Sequence, residues 1–347
     1  MKKDSFLYDN CVLFGGGGYI GSFFAGFLVK HQITKTVYLA DISQEKRNIW
    51  PQIVKNGLKS GSIKYLHCDV RNKINNVKLP DKCDLIGNFA AIHREPGHTA
   101  EQYFQTNLLG AENVCDWASN VNCDKLIFTS SIAPYGYSGH QMDEHSLAIP
   151  TTPYGASKLV AERIHICWQK EKSSSRYLSI VRPGVIFGPG EDGNVPRMVK
   201  AIRKNYFFYL GNRHTVKAGG YVKELSSAMN WVLKNQIEKS QPIALYNFSF
   251  PQPPTIEEYA KTIQLVLGKK NPIFSLPFRL ILVASYIIYY SMKLFPVQHP
   301  FDPVRIKKLG FSNNIIPKFL IDNGYIYKYD LLHALENWKE EAPEDWK

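Results

Sequence analysis

Tyr154 and Lys158 are the residues whose spacing most directly suggests chemistry, in a segment with the sequence PYGASK. Residues four apart share one face of a helix, so the lysine ammonium group would lie near the tyrosine hydroxyl. A free tyrosine has a pKa of about 10 and is a poor base at neutral pH, but a neighbouring positive charge favours the phenolate. The pair could therefore take a proton from a substrate hydroxyl, or return one to a carbonyl, as hydride is transferred.

Ser131 is a third candidate for chemistry, in the segment FTSSIAPYG, which follows an apolar strand ending at Thr129. Ligands of open α/β sheets bind at the carboxyl ends of the strands. The Ser131 hydroxyl can therefore hydrogen-bond the reacting oxygen. A strand-end cap is the alternative role for one serine of this pair.

A run of glycines joins the first strand to the first helix, in the sequence CVLFGGGGYIGS. In such a loop one glycine allows a tight turn, one lets the backbone approach a pyrophosphate, and one lets the helix pack closely on the strand. The first helical N–H groups and the helix dipole then face the phosphates. The pattern predicts a dinucleotide cofactor, bound by Gly15, Gly18, Tyr19, Ile20 and Gly21.

Asp41 ends the second strand, 20 residues after Gly21. A carboxylate at this place accepts hydrogen bonds from the hydroxyls of an adenosine ribose, and it repels a 2′-phosphate. We therefore expect NAD rather than NADP.

Strands and helices alternate through the first half of the chain and would position these residues. The predicted strands are 12–14, 36–40, 63–67, 85–89, 126–129 and 178–182, and the predicted helices are 19–30, 103–118, 155–170, 256–267 and 330–339. This alternation predicts an α/β fold with a doubly wound parallel sheet of the Rossmann type. Frequent prolines after about residue 184 indicate a smaller, mixed α/β lobe. We predict an NAD-binding domain over 1–184, to which the chain can return, and a mainly substrate-binding lobe over 185–347.

Seven segments together resemble the extended short-chain dehydrogenase/reductases, the family of nucleotide-sugar epimerases and dehydratases, over roughly residues 10–340. The segments are FGGGGYIGS, LADIS, CDVRN, NFAAIHR, FTSSIAPYG, YGASK and RPGVIFGPG. The resemblance implies a Rossmann domain with a C-terminal substrate lobe. It also implies that Ser131, Tyr154 and Lys158 form the catalytic set, with Tyr154 and Lys158 also touching the cofactor.

The same resemblance implies further contacts with the cofactor. Asp69 and Val70 would flank the adenine, and Asn107 is similar to the family's structural asparagine behind the active site. Other residues implied along the cofactor are Phe89, Ala90, Ala91 and Thr129, with Pro183 and Val185 towards the nicotinamide end.

Two positions after the active-site serine depart from the dehydratases of this family. Those enzymes carry an Asp–Glu pair, where this chain has Ile132 and Ala133. Without an acid and a base, elimination of water is excluded, so an epimerase or a ketoreductase remains. Ile132 and Ala133 would then contact the substrate.

The expected substrate site also departs from the usual diphosphate clamp. Val185 stands where sugar epimerases usually have asparagine, and Lys217 stands where many have arginine, which binds phosphate in a more directed geometry. His93 and Arg94 follow the fourth strand and face the expected cleft; an arginine there can bind a phosphate or carboxylate through two hydrogen bonds. A solvated loop is the alternative for both. No metal site is predicted.

The leading interpretation is hydride transfer at a carbinol or keto carbon of a nucleotide-sugar, in surface polysaccharide biosynthesis. A second interpretation keeps the chemistry but assigns a lipid-linked sugar or a steroid-like alcohol, as in 3β-hydroxysteroid dehydrogenases, which would suit Val185. A non-catalytic dinucleotide-binding regulator is the third, but such a protein would normally lose Tyr154 or Lys158.

Composition limits the partners. The net charge of +12 is spread out rather than concentrated, which argues against nucleic acid. Six cysteines without CxxC spacing predict reduced, buried thiols, and the first residues lack a signal peptide, so we expect a cytoplasmic protein. The uncharged stretch 280–292 is too short to span a bilayer and predicts a buried helix or an interfacial one on a membrane. The family resemblance implies a homodimer.

Overall fold

A computed structural model describes residues 6–43, 50–75, 77–93, 97–137, 139–279, 282–283, 286–287 and 311–347. The strands are β1 (Tyr8–Phe14), β2 (Thr34–Asp41), β3 (Ile63–His67), β4 (Leu85–Asn88), β5 (Lys125–Thr129), β6 (Tyr177–Pro183), β7 (Val185–Phe187), β8 (Tyr209–Leu210), β9 (Gly219–Tyr221), β10 (Ile243–Phe248) and β11 (Ser275–Leu276).

The helices longer than one turn are α1 (Tyr19–Lys30), α2 (Gln52–Ser60), α3 (Ala100–Asn120), α4 (Pro153–Glu171), α5 (Asn194–Arg203), α6 (Val222–Glu238), α7 (Ile256–Leu267), α8 (Lys318–Asp322) and α9 (Leu331–Glu341). Short 3₁₀ turns cover Ala133–Tyr135 and Pro343–Trp346. Of the predicted helix over 280–292, residues 282–283 and 286–287 are helical, and the others lie outside the described residues.

Seven parallel strands form the central sheet, in the order β10-β6-β5-β4-β1-β2-β3. Apolar side chains cover both of its faces, as expected for a parallel sheet buried between helices. The predicted doubly wound Rossmann-type fold is therefore confirmed. The strand order reverses at β1, where β4 continues one way and β2 the other, and such a switch point is where ligands bind.

The seventh strand, β10, comes from the second half of the chain, where the sequence analysis assigned no strand. It pairs with β6, and α6, which precedes it, packs against α1 and β6. The chain thus crosses back to the main sheet after residue 184. The division into two functional domains stays a prediction.

The smaller lobe has its own core, which is rich in aromatic rings. Phe187 lies at its centre and contacts the rings of Tyr221, Phe250, Tyr259 and Trp338. Two short parallel pairs, β7 with β9 and β8 with β11, belong to this lobe.

The six cysteines are free and five of them are buried. Cys167 is exposed, so the prediction of buried thiols was wrong for this residue, which lies on the solvent-facing stripe of α4. Among the described residues, no helix is both long and apolar enough to cross a membrane.

Candidate active site

The glycine loop between β1 and α1 closes tightly on the strand beside it. Gly15 has a φ of +70°, and a Cβ at this residue would lie 2.4 Å from the Ala90 nitrogen. A Cβ at Gly21 would lie 2.7 Å from the Gly15 carbonyl oxygen. No side chain fits at either position, so the loop leaves bare backbone at the start of α1, and Gly18 caps that helix without a side chain. This cradle fits a pyrophosphate.

Asp41 lies at the end of β2 against this loop. Its Oδ2 accepts a hydrogen bond from the Gly17 N–H at 3.0 Å, and its Oδ1 accepts one from the Ser43 N–H at 3.1 Å. The carboxylate is only partly buried. Each oxygen therefore keeps a lone pair for a ribose hydroxyl.

Trp50 also fixes the loop, and the sequence analysis missed it. Its indole Nε1–H donates to the Gly17 carbonyl oxygen at 2.8 Å, and the side chain is buried. The only sequence signal was a large aromatic residue before α2.

The residues expected along the cofactor differ in whether their side chains or their backbone atoms could contact it. Asp69 is bound by the Arg71 guanidinium at 2.6 Å, and this hydrogen bond holds the pKa of the Asp69 carboxyl below its usual value. The Val70 side chain is buried against α3, and the Phe89 ring packs on Phe24 in the core. Val70 and Phe89 therefore offer mainly backbone towards a cofactor.

Ala90 and Ala91 follow Phe89 and are partly buried, with the Ala90 backbone directly against Gly15. Thr129 ends β5, and its buried Oγ1 has no hydrogen-bond partner within the described part of the chain. An unsatisfied buried hydroxyl at the carboxyl edge of the sheet favours a bound polar ligand there.

Tyr154 lies in the first turn of α4, which begins at Pro153. The Thr152 side chain caps the helix by accepting from the Gly155 N–H at 3.1 Å. The Tyr154 ring contacts the ring of Tyr103 on α3, with centroids 5.8 Å apart. Tyr103 is buried, and no local pattern in the sequence marked it as part of the site.

Asn107 ties three segments together behind Tyr154. Its Nδ2 donates to the Ser157 Oγ at 2.9 Å, and that hydroxyl donates to the Tyr154 carbonyl oxygen at 2.8 Å. Its Oδ1 accepts from the Ile92 N–H at 3.0 Å. Asn107 thus positions both α4 and the segment after β4, and this contact lies behind the cleft.

Lys158 is buried on α4, with 2% of its surface exposed. Its Nζ lies 4.4 Å from the centroid of the Phe128 ring. Burial lowers the pKa of Lys158 from 10.5 to about 7, and the negative charge of Glu162 opposes this change. At neutral pH its amine and ammonium forms are therefore both populated, and a phenolate on the same helix face would favour the ammonium.

Glu162, one turn further along α4, forms a buried ion pair with Arg182 of β6. The Arg182 Nη2 and Nε donate to its two oxygens at 2.6 and 2.8 Å. Ser130 donates its hydroxyl hydrogen to the Glu162 Oε1 at 2.5 Å. Burial opposes the charge on Arg182, but the hydrogen bonds to Glu162 raise its pKa above the ordinary value. The sequence analysis did not identify this pair.

The two serines after β5 are thus used differently. Ser130 is buried and bound to Glu162, whereas Ser131 is partly exposed and its Oγ accepts from the Ala133 N–H at 3.1 Å. Ile132 donates its N–H to the Pro183 carbonyl oxygen at 3.2 Å. Ser131 therefore keeps its hydroxyl hydrogen for a ligand.

The wall beyond Ser131 is apolar. Ile132 packs with Tyr135, Met142, Ala218 and Ile315. Val185 begins β7, and its N–H donates to the Ala218 carbonyl oxygen at 2.9 Å.

The residues expected to bind the substrate's charge are Lys217, His93 and Arg94. The Lys217 ammonium donates to the Phe311 carbonyl oxygen at 2.5 Å, and burial lowers the pKa of Lys217 to about 8. His93 is exposed after β4, and Arg94 lies outside the described residues. The structure thus brings the glycine loop, Asp41 and the start of α4 to one edge of the sheet.

Comparison with known proteins agrees with this geometry. A model of the NAD dependent epimerase/dehydratase family matches residues 11–247. The chain belongs to this family. The predicted membership of the extended short-chain dehydrogenase/reductases and the prediction of an NAD-dependent enzyme are therefore confirmed.

Two known proteins resemble the chain over most of its length. The N-acetyl-alpha-D-glucosaminyl-diphospho-ditrans,octacis-undecaprenol 4-epimerase of Escherichia coli O157:H7 is 26% identical, over 95% of this chain and 94% of that protein. The 3beta-hydroxysteroid-dehydrogenase/decarboxylase isoform 1 of Arabidopsis thaliana is 26% identical, over 82% of this chain and 67% of that protein.

Among solved structures, the UDP-glucuronic acid 4-epimerase of Bacillus cereus in complex with NAD has a TM-score of 0.72. It is 17% identical and the alignment covers 97% of this chain and 100% of that one. At this identity the likeness shows the shared fold.

Proposed function

We propose that the enzyme is an NAD-dependent 4-epimerase of a sugar that is attached to a diphosphate, with a nucleotide-sugar as the leading substrate. The observation that supports this best is placement: Ser131 follows β5 and Tyr154 and Lys158 lie in the first turns of α4, at the same edge of the sheet as the glycine loop. The printed name of the full-length relative from Escherichia coli, a 4-epimerase, supports the choice of reaction and carbon.

The proposed chemistry uses the side chains in fixed roles. Tyr154 takes the proton of the sugar hydroxyl as hydride leaves the carbon, and returns it to the carbonyl oxygen as hydride comes back to the opposite face of the sugar ring. Lys158 favours the phenolate form of Tyr154, and the Ser131 hydroxyl donates to the reacting oxygen. Bound NAD, held by the glycine loop and Asp41, supplies the hydride acceptor and donor.

Ile132 and Ala133 support epimerisation over dehydration. They fill the positions after Ser131 with small or apolar side chains, and Ile132 is packed in an apolar cluster. A ketosugar formed beside them meets no carboxyl group from these two positions that could remove water. The ketone therefore returns to an alcohol, in either configuration.

A lipid-linked sugar is the second candidate substrate, within the same chemistry. The relative from Escherichia coli carries an undecaprenol carrier in its name. The Lys217 ammonium donates one hydrogen bond to the Phe311 carbonyl oxygen, and Val185 is apolar where sugar epimerases usually have asparagine. Both features suit a carrier that makes few polar contacts.

The experiment is a substrate panel followed by NMR. Wild-type protein, without added NAD, is incubated with UDP-glucose, UDP-N-acetylglucosamine and a polyprenyl diphosphate N-acetylglucosamine. We expect conversion of one of them to its 4-epimer. Oxidation of NADH with a 4-keto sugar as substrate, without epimerisation of these three sugars, would identify a reductase instead. Tyr154→Phe is the matched control, because it removes one hydroxyl and should retain NAD.

We also propose a homodimer in a reducing, cytoplasmic compartment. The outer faces of α3 and α4 support the dimer, because they expose the apolar side chains of Leu109 and Val160. The six free cysteines support the compartment. Sedimentation of the wild type and of Val160→Arg tests the dimer: we expect the variant to be monomeric.

A further inference from the structure

The β8–β11 pair of the smaller lobe exposes an apolar face. Ser275 pairs with Tyr209 and Leu276 with Leu210. Side chains alternate along a strand, so the residues on either side of Tyr209 and of Ser275 point to the face opposite the Tyr209 ring. Tyr209 is buried in the aromatic core. The opposite face carries Phe208, Leu210, Phe274 and Leu276, and Phe274 is 65% exposed. An outward face of a small sheet normally carries polar residues.

The helical residues that follow β11 begin beside this strand pair. A Cβ at Gly211, the residue after β8, would lie 3.0 Å from the Phe278 Cβ, so this segment starts beside the strand pair. Arg279, Val283 and Ile287 are spaced by four residues and are exposed, and Ile287 is 64% exposed. The stripe presented to solvent is thus one arginine followed by two aliphatic side chains.

Basic residues outnumber acidic ones around this face, although Glu257 is paired with Arg213 and Lys261, and Glu341 with Lys223. Residues 193–223 contain seven Lys and Arg residues and no Asp or Glu. Residues 259–301 contain five Lys and Arg residues and no Asp or Glu. The Lys269 Nζ donates to the Arg203 carbonyl oxygen at 2.5 Å and to the Asn205 Oδ1 at 2.7 Å. This contact brings the two basic runs together, with Lys204 and Lys270 exposed beside it.

We propose that these residues form a docking surface for an anionic lipid bilayer, the basic apolar face. Its apolar members are Phe208, Leu210, Phe274, Leu276, Val283 and Ile287, and its basic members are Lys204, Lys270 and Arg279. Aromatic and aliphatic side chains enter the boundary between headgroups and acyl chains, while lysine and arginine remain at the phosphates.

Charge favours a bilayer over a second copy of the chain as the occupant. In a two-fold contact the same patch faces itself, so Lys204, Lys270 and Arg279 would lie among like charges. Anionic headgroups instead complement them. The inference does not rest on the proposed epimerase activity, since it concerns a surface apart from the glycine loop and α4.

Vesicle co-sedimentation of the full chain tests the proposal. We expect binding to vesicles of phosphatidylcholine with phosphatidylglycerol, little binding to phosphatidylcholine alone, and release as the salt concentration rises. Two independent double variants, Phe274→Ser with Leu276→Ser and Lys204→Glu with Lys270→Glu, should each weaken binding about tenfold or more. Their thermal unfolding is followed to show that they fold.

The matched control is Lys35→Glu with Lys59→Glu, which makes the same change of charge at exposed residues of β2 and α2. It should leave vesicle binding nearly unchanged. Equal binding by the wild type and both double variants, or equal loss in the control, would overturn the proposal. A self-association that Phe274→Ser with Leu276→Ser abolishes, without any vesicle binding, would assign the surface to a second copy. Because no substrate is used, these results are independent of the proposed function.

Discussion

Lys158 and Glu162 are both buried and lie one turn apart on α4, but their surroundings are opposite. Glu162 is paired through two hydrogen bonds with Arg182 and accepts a third from Ser130. Lys158 contacts the face of the Phe128 ring, and burial lowers its pKa to about 7. The same helix thus holds one charge with hydrogen-bonded partners and one that Glu162 compensates only in part.

The contrast separates structure from chemistry. The Glu162–Arg182 pair joins α4 to β6, and Ser130 joins it to the end of β5, so its net effect is to fix where the site residues lie. Hydrogen bonds from Arg182 and Ser130 hold the Glu162 carboxylate in one position. A partly compensated amine near neutral pKa can respond to a phenolate beside it, which is what an acid–base partner requires.

The largest effect is expected for Lys158→Met, which keeps the length of the side chain and removes its amine. We expect kcat to fall by about a thousandfold or more, because the Tyr154 phenolate loses its neighbouring charge. The measurement is steady-state epimerisation, with the NAD content of denatured protein as the control for cofactor binding. A fall of less than tenfold would remove Lys158 from the proposed catalytic set.

The Glu162–Arg182 ion pair should contribute mainly to the free energy of unfolding. Glu162→Gln leaves the Arg182 guanidinium buried without its carboxylate, and we expect a loss of about 3–5 kcal/mol in the free energy of unfolding. Arg182→Met should be similarly harmful, and Glu162→Met with Arg182→Met should recover much of the loss. Urea unfolding of the three variants measures this. Additive losses in the double variant would show that the two residues are not coupled.

Much of the site was predictable because its signals are local. The glycine spacing, the acid at the end of β2 and the four-residue interval in PYGASK each lie within one strand–helix junction or one helical turn. The alternation of strands and helices was also readable, and the helices over 19–30 and 256–267 agree with the structure. The catalytic roles of these residues stay predictions.

The parts that were missed depend on distant contacts. Glu162 and Arg182 are 20 residues apart and meet only when α4 packs beside β6. Trp50 reaches Gly17 across 33 residues. Strand β10 is separated from β6 by 59 residues, and it joins the sheet only because the chain returns to it. In each case the sequence shows a suitable residue type, but the partner is set by the tertiary fold.

A smaller effect is expected when Lys158 is replaced by methionine: the folded state should become more stable, although activity falls. The folded pKa of about 7 lies below the unfolded value of 10.5. The unfolded chain binds more protons between these values, so this group makes the wild type more stable as pH rises from about 7 towards 10.5. Below pH 7 the buried ammonium is destabilising throughout.

Lys158→Met removes this destabilisation. In protein freed of nucleotide, we expect the advantage of the variant over the wild type in the free energy of unfolding to be about 2–3 kcal/mol larger at pH 6.5 than at pH 9. Urea unfolding at the two pH values measures it. An advantage independent of pH would contradict the assigned pKa, and Lys170→Met, at an exposed site on α4, is the control.

The most direct measurement of the central claim follows the hydrogen on the reacting carbon. The sugar that the substrate panel identifies is prepared with deuterium at C4 and incubated with purified wild-type enzyme, without added cofactor. We predict that the 4-epimer retains the deuterium and takes up no hydrogen from water at C4, because hydride leaves and returns within one site. Exchange of the deuterium with solvent, or no product without added nucleotide, would contradict the account.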